Sequence, residues 1–243
     1  MMKTQEILDD NRAFTKLKDN PTEQREQELI KFLLSLKKQK VINDEEDKLM
    51  RQKTCSRTLE AYFLIKVHQQ NLPVSPIISS YDAYNYNAAK YLANLLSPAI
   101  PETKSYIKDS FDFIDKIKLN KNKYGLMCSL DVSALFTNVP LEKAIPIVIK
   151  KIRHLHPKLT IDDNNLTELF NYCTMKTNFL FNNANYDQIN GVSIGSPLTP
   201  ILAHLFMSEV ELKIKYYMGK KPELLYRYVD DIIMILNGNQ KDK

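Results

Sequence analysis

Two apolar runs, ELLYRYV at residues 223 to 229 and IIMIL at 232 to 236, are separated only by Asp230 and Asp231. Strand-like runs with so short an interruption specify a tight β-hairpin, and with it an antiparallel sheet. Two-residue turns need positive φ, which Asn-Gly or Asp-Gly supplies with little strain, so Asp-Asp is a poor choice on local grounds. The pair is either a solvated turn or a cation site. Adjacent carboxylates raise one another's pKa unless a cation intervenes, so the second reading asks for a third acid elsewhere in the chain.

Asp131 is the candidate. It lies near the end of YGLMCSLDV, residues 124 to 132, a run that reads as a buried strand in which Leu126, Cys128 and Leu130 face one way and Met127, Ser129 and Asp131 the other. A lone Asp at a strand end also serves as an N-cap or turn residue. If the two strands are neighbours, Asp131 and Asp230 could hold two Mg²⁺ ions ~4 Å apart, as phosphoryl transfer requires. Oxygen-only ligands favour Mg²⁺ over zinc.

The chain holds only five glycines, at 125, 191, 195, 219 and 238, and two of them fall in GVSIGSPLTP. Where glycine is so scarce, two placed four residues apart mark backbone that bends or is closely approached. Thr199 is the expected N-cap of the helix that follows, with Pro200 at its first position and Leu198, Ile201, Leu202 and Leu205 on one stripe. Further helices are expected where Leu29, Phe32, Leu33 and Leu36 recur, at about 45 to 53, at YNAAKYLANLL, and in LEKAIPIVIKKI despite Pro146. Residues 61 to 80 read as two short strands broken by Pro73 and Pro76.

With 243 residues, 44% of them hydrophobic, the chain can bury a core. Its formal charge of +5 permits an anionic partner without demanding one. Cys55, Cys128 and Cys173 are odd in number and lie outside any CxxC spacing, so no disulfide framework or zinc site is expected, and a reducing, intracellular setting fits. The first residues carry no apolar signal core and no run is long enough to span a membrane, so a soluble nuclear or cytoplasmic protein is expected.

The order SLDVSALFTNVPLEKAI, then YDQINGVSIGSPLTPILAHLFMSEVE, then YRYVDD resembles the palm of reverse transcriptases, specifically the Penelope-like retroelement branch. Upstream, YFLIKVHQQNLPVSPIISSYDAYNYNAAKYLANLLSP looks like that branch's fingers segment. The resemblance implies an α+β right-hand polymerase fold with an antiparallel palm sheet packed on helices. Its expected parts are an N-terminal helical segment at 1–55, a fingers-like segment at 56–110 and a palm-like segment at 111–243. It implies an RNA-directed DNA polymerase whose catalytic carboxylates are Asp131, Asp230 and Asp231, with the Val132 carbonyl as a further Mg²⁺ ligand. Phe136 would lie under the sugar of a deoxynucleoside triphosphate, Asn190, Gly191 and Gly195 beside the nascent base pair, and Lys66 at the triphosphate. Tyr228, Lys121 and Lys123 would touch the RNA template or DNA primer, and Lys116, Lys118, Lys150, Lys151 and Arg153 could add phosphate contacts.

The sequence departs from the family where Ser75 replaces an arginine, where Phe63, Leu64 and Ile65 replace Gly-Leu-Pro, and where His204 replaces an asparagine. It also stops twelve residues after Asp231, before any thumb, so a truncated or fragmentary polymerase is expected. The alternatives are a non-catalytic nucleic-acid-binding remnant and, more remotely, an unrelated Mg²⁺ nuclease or phosphatase.

Overall fold

The computed structural model describes residues 2–52, 56–65, 67, 72, 74–217 and 222–236. In chain order the first half contains α1 (Met2–Leu8), β1 (Phe14–Leu17), α2 (Thr22–Lys38), α3 (Asp44–Met50), β2 (Leu59–Ile65), β3 (Val74–Ile78), α4 (Tyr86–Leu96) and α5 (Ser110–Leu119). The second contains β4 (Leu126–Asp131), α6 (Leu135–Asn138), α7 (Leu141–Leu155), α8 (Asp163–Thr174), β5 (Thr177–Phe181), β6 (Ala184–Gln188), α9 (Thr199–Tyr217), β7 (Leu224–Tyr228) and β8 (Asp231–Leu236).

The main core is helical. Leu29, Leu33 and Leu36 of α2, Ala88, Leu92 and Leu96 of α4, and Ala144, Val148 and Ile152 of α7 are spaced three or four residues apart, so each helix turns one apolar stripe inward. Each buried leucine contributes about 1.5–3 kcal/mol relative to exposure. In α3, Asn43 and Glu46 form a reciprocal capping box. Pro146 removes one hydrogen bond from α7 but stands on its exposed side.

A five-stranded sheet has the order β1-β6-β5-β2-β3 and draws strands from all three segments that the sequence marks off. Its pairs are antiparallel except β2 with β5, a parallel seam registered only at Leu59–Phe179 and Glu60–Leu180. A small second core of Leu8, Phe14, Leu59, Ile78, Ala83, Phe179 and Tyr186 packs against it. Pro76 is accommodated because β3 is an edge strand.

The second sheet is antiparallel, in the order β4-β8-β7. Main chain at 105–107 extends it beyond β7, where Arg227 N–H donates to the Ser105 carbonyl at 2.7 Å and Ile107 N–H to the Arg227 carbonyl at 2.9 Å. α5 then lies beside β7, with Phe113 edge-on to Tyr226 and Asn120 Nδ2 donating to the Tyr226 hydroxyl at 2.9 Å. Ile232 on the opposite face joins the helical core. β4 is not the buried strand that its apolar sequence suggests: Leu126, Met127 and Leu130 are 63%, 65% and 45% exposed, because β4 forms the sheet edge. α9 opens at Thr199, whose hydroxyl donates to the Ser193 carbonyl at 2.5 Å and so ties the helix to the preceding loop instead of capping it.

Candidate active site

The β4/β8 register sets Asp131 directly opposite Asp231, and side chains opposed across antiparallel strands share one face of the sheet. Tyr228 pairs with Asp231 to close the β7/β8 hairpin, so the turn residues are Val229 and Asp230, not the two aspartates. Asp231 belongs to the strand and Asp230 to the turn. The Val132 N–H donates to the Asp230 carbonyl at 3.2 Å, joining the end of β4 to the turn. Asp131 and Asp231 are exposed and Asp230 is half-buried. Among the described residues, no cation or hydrogen-bond donor partners any of these three carboxylates.

Val229 has φ +54°, a left-handed conformation that crowds its branched side chain. Underneath, Arg227 is 1% exposed. Its Nε donates to Glu211 of α9, Nη1 to the Val229 carbonyl at 3.1 Å and Nη2 to the His204 carbonyl at 3.2 Å. The other Glu211 oxygen accepts from Ser105 Oγ. His204 Nε2 lies 3.0 Å from Thr103 Oγ1, and burial together with the nearby Arg227 charge lowers the His204 pKa to about 4. Sequence reasoning missed Arg227 and Glu211. The available signal was a lone arginine amid YRY, where alternation turns it to the face opposite the aspartates.

The two loop glycines are close-approach positions. A Cβ on Gly191, at φ +72°, would stand 2.5 Å from the Thr137 carbonyl oxygen, and one on Gly195, at φ +128°, 2.2 Å from that of Ile78. The loop is hydrogen-bonded on both sides, from Val192 N–H to the Phe136 carbonyl at 2.7 Å and from Ile78 N–H to the Ile194 carbonyl at 2.9 Å. Phe136 itself is half-buried against the helical core. Asn190 is exposed and its Oδ1 accepts from Gly191 N–H.

A sequence profile of the reverse transcriptase (RNA-dependent DNA polymerase) family matches residues 69–242. The chain belongs to that family. No curated protein sequence matches it. Apo telomerase from Candida tropicalis is similar in fold at TM-score 0.54 and 13% identity, over 93% of this chain and 46% of that one. A form of that telomerase truncated from its C-terminal domain aligns at TM-score 0.52 and 14% identity, over 78% and 45%. The BmCPV RNA-dependent RNA polymerase at its quiescent state aligns at TM-score 0.53 and 12% identity, over 91% and 22%. This reverse transcriptase-family chain thus spans less than half the length of the structures it matches, and at such identities the likeness concerns the fold alone.

Polymerases of this family generally use divalent metal ions. Among the described residues, no three His, Cys, Asp or Glu side chains form a ready metal cage. The donor set nevertheless suits Mg²⁺, which keeps several waters and takes one or two carboxylates together with substrate phosphates. Asp131 and the 230–231 pair offer oxygen ligands of that kind on adjoining backbone, unpaired among the described residues.

Other residues singled out in this reverse transcriptase-family sequence fall less tidily. Lys66 lies outside the described residues. Lys121 and Lys150 are exposed. Lys123 pairs with Glu223, Lys116 with Asp112, Lys118 with Asp115, Lys151 with Glu102 and Arg153 with Asp163, so much of the basic run is matched by local acids. Tyr228 is 50% exposed and, with Phe113, Ser129, Tyr226 and Asp231, lines a cleft of about 300 Å³. Ser75 sits half-buried on β3 opposite Leu64. Among the described residues, no helix is long and apolar enough to cross a membrane.

Proposed function

We propose that the chain carries the catalytic palm of an RNA-directed DNA polymerase of the Penelope-like branch. In this reading residues 56–110 serve as fingers and 111–243 as palm, and the parent polymerase acts on an RNA template, a DNA primer and deoxynucleoside triphosphates. The observation that carries it is the register Asp131–Asp231, with Asp230 in the turn between two paired strands and, among the described residues, no cation taking up the charges.

Asp131, Asp230 and Asp231 would hold Mg²⁺, with the Val132 carbonyl as a further oxygen ligand. When bound, the ions would lower the pKa of the primer hydroxyl and stabilise charge on the leaving oxygen. The chain's own part is positioning: β4 and β8 hold Asp131 and Asp231 on one face, and the glycine loop brings backbone close to Phe136. Phe136 would exclude a 2′-hydroxyl by overlap, and Asn190, Gly191 and Gly195 would lie against the new base pair. Tyr228, Lys121 and Lys123 would contact template or primer.

Ser75 favours a second reading, in which the chain binds nucleic acid without chemistry, because serine offers neither charge nor reach to a triphosphate. Mn²⁺ binding followed by electron paramagnetic resonance, together with primer extension on an RNA template, decides. Expected are Mn²⁺ binding lost in Asp131→Asn and extension lost in Asp230→Asn. Mn²⁺ binding indifferent to both substitutions overturns the proposal, and salt-sensitive nucleic-acid binding with no Mn²⁺ site at these carboxylates supports the second reading.

A further inference from the structure

We propose that Arg227 and Glu211 are positioning residues which hold the Val229–Asp230 turn in the geometry that presents the carboxylates. This rests on the polymerase reading above.

An arginine in the sheet face that packs on helices is costly to bury, and ion pairs so placed rarely stabilise a fold more than an apolar pair of similar size. Stability alone therefore gives little reason for this pair. An apolar pair could not, however, donate a hydrogen bond to the Val229 carbonyl. The guanidinium fork is rigid and planar, so fixing one side fixes the direction of the others. Here Nε is fixed by Glu211, Nη2 by the His204 carbonyl, and Nη1 is left aimed at Val229 at 3.1 Å. Glu211 is itself oriented by Ser105, on the main chain that borders β7.

The turn has reason to be held. Val229 at φ +54° is in a conformation that a branched residue avoids, so the turn's own preferences pull it elsewhere. Its two carbonyls are restrained from different directions: that of Val229 by Arg227 and that of Asp230 by the Val132 N–H, one residue beyond Asp131. Together these bonds set the placement of the 230–231 pair relative to Asp131. Groups behind metal ligands commonly change metal affinity 10–100-fold when removed.

The test compares the parent protein with Arg227→Met/Glu211→Leu, which keeps the volume and removes both charges, and with Arg227→Lys, which keeps the charge but loses the fork. The readouts are thermal melting, Mn²⁺ affinity by electron paramagnetic resonance, and amide hydrogen exchange over residues 228–231 without metal. Expected for both variants is cooperative melting, Mn²⁺ affinity weaker by about tenfold or more, and faster exchange confined to the turn. A folded variant with parental affinity and parental exchange overturns the proposal. If the double variant does not fold, Arg227→Lys decides by the same two readouts. If Asp131→Asn and Asp230→Asn both leave Mn²⁺ binding of the parent unchanged, the polymerase reading fails by itself, and turn exchange in the metal-free protein still decides whether Arg227 restrains the turn.

Discussion

Two hairpins of this molecule close with two-residue turns, and the residues in them could hardly differ more. Between β5 and β6, Phe181 pairs with Ala184 around Asn182 and Asn183, at φ +47° and +59°. Both positions are left-handed, and asparagine is among the side chains that tolerate this best. Between β7 and β8, the left-handed position falls on Val229, a residue with no local reason to accept it. The first turn folds from its own residues. The second is imposed by a buried arginine, a helix and the adjoining strand end. Local sequence and global structure agree in the scaffold and conflict beside the carboxylates, where conflict of this kind tends to collect.

The largest expected effect breaks the imposed turn's support. Glu211→Leu alone leaves the Arg227 charge buried without its partner, and urea unfolding should show a loss of about 3–5 kcal/mol. A loss under ~1 kcal/mol would mean that the buried pair supports nothing. Next, Asn182→Val copies the Val229 problem into the compatible turn and should cost about 1–2 kcal/mol in the same assay. The reverse exchange, Val229→Gly, should be neutral or stabilising by up to ~1 kcal/mol, because relief of left-handed strain exceeds the added chain entropy of glycine. A clearly destabilised Val229→Gly protein would show that the valine side chain is needed there for packing.

The remaining effect shows only as pH falls. His204 stays neutral in the fold with its pKa lowered to about 4, while the unfolded chain titrates near 6.5. The unfolded state therefore binds more protons between those values, so the contribution present above pH 6.5 is lost as pH falls toward 4. His204→Asn should flatten the dependence of melting temperature on pH over that window, and identical pH profiles for parent and variant would remove His204 from the account.

What could be read in advance follows the same division. The helical stripes, the β7/β8 hairpin and the side-chain alternation around Asp131 were legible because one period governs each. The glycine loop was legible because two glycines in a glycine-poor chain are informative. The Asn182–Asn183 doublet carried a hairpin signal that passed unread beside the louder aspartates. The exposure of β4 was not readable, because an edge strand and a central strand can carry the same apolar sequence. Nor could the pairing of the basic run be read, since Lys123 meets Glu223 and Lys151 meets Glu102 only in three dimensions. The Arg227–Glu211 pair joins residues sixteen apart on different elements, and no periodicity connects them.

The loop between β6 and α9 acts mechanically as a strut. One end is fastened to the Phe136 carbonyl and the other to β3 through Ile78 N–H and to the chain just beyond it through Ser80 Oγ, which donates to the Gly195 carbonyl. At Gly191 and Gly195 it rests against main chain with no room even for a methyl group. A strut tied at both ends and seated at both bearings transmits displacement instead of absorbing it. Any tilt of the β2–β3 hairpin therefore carries the backbone at Phe136 with it, and the two cannot separate unless one of these bonds breaks.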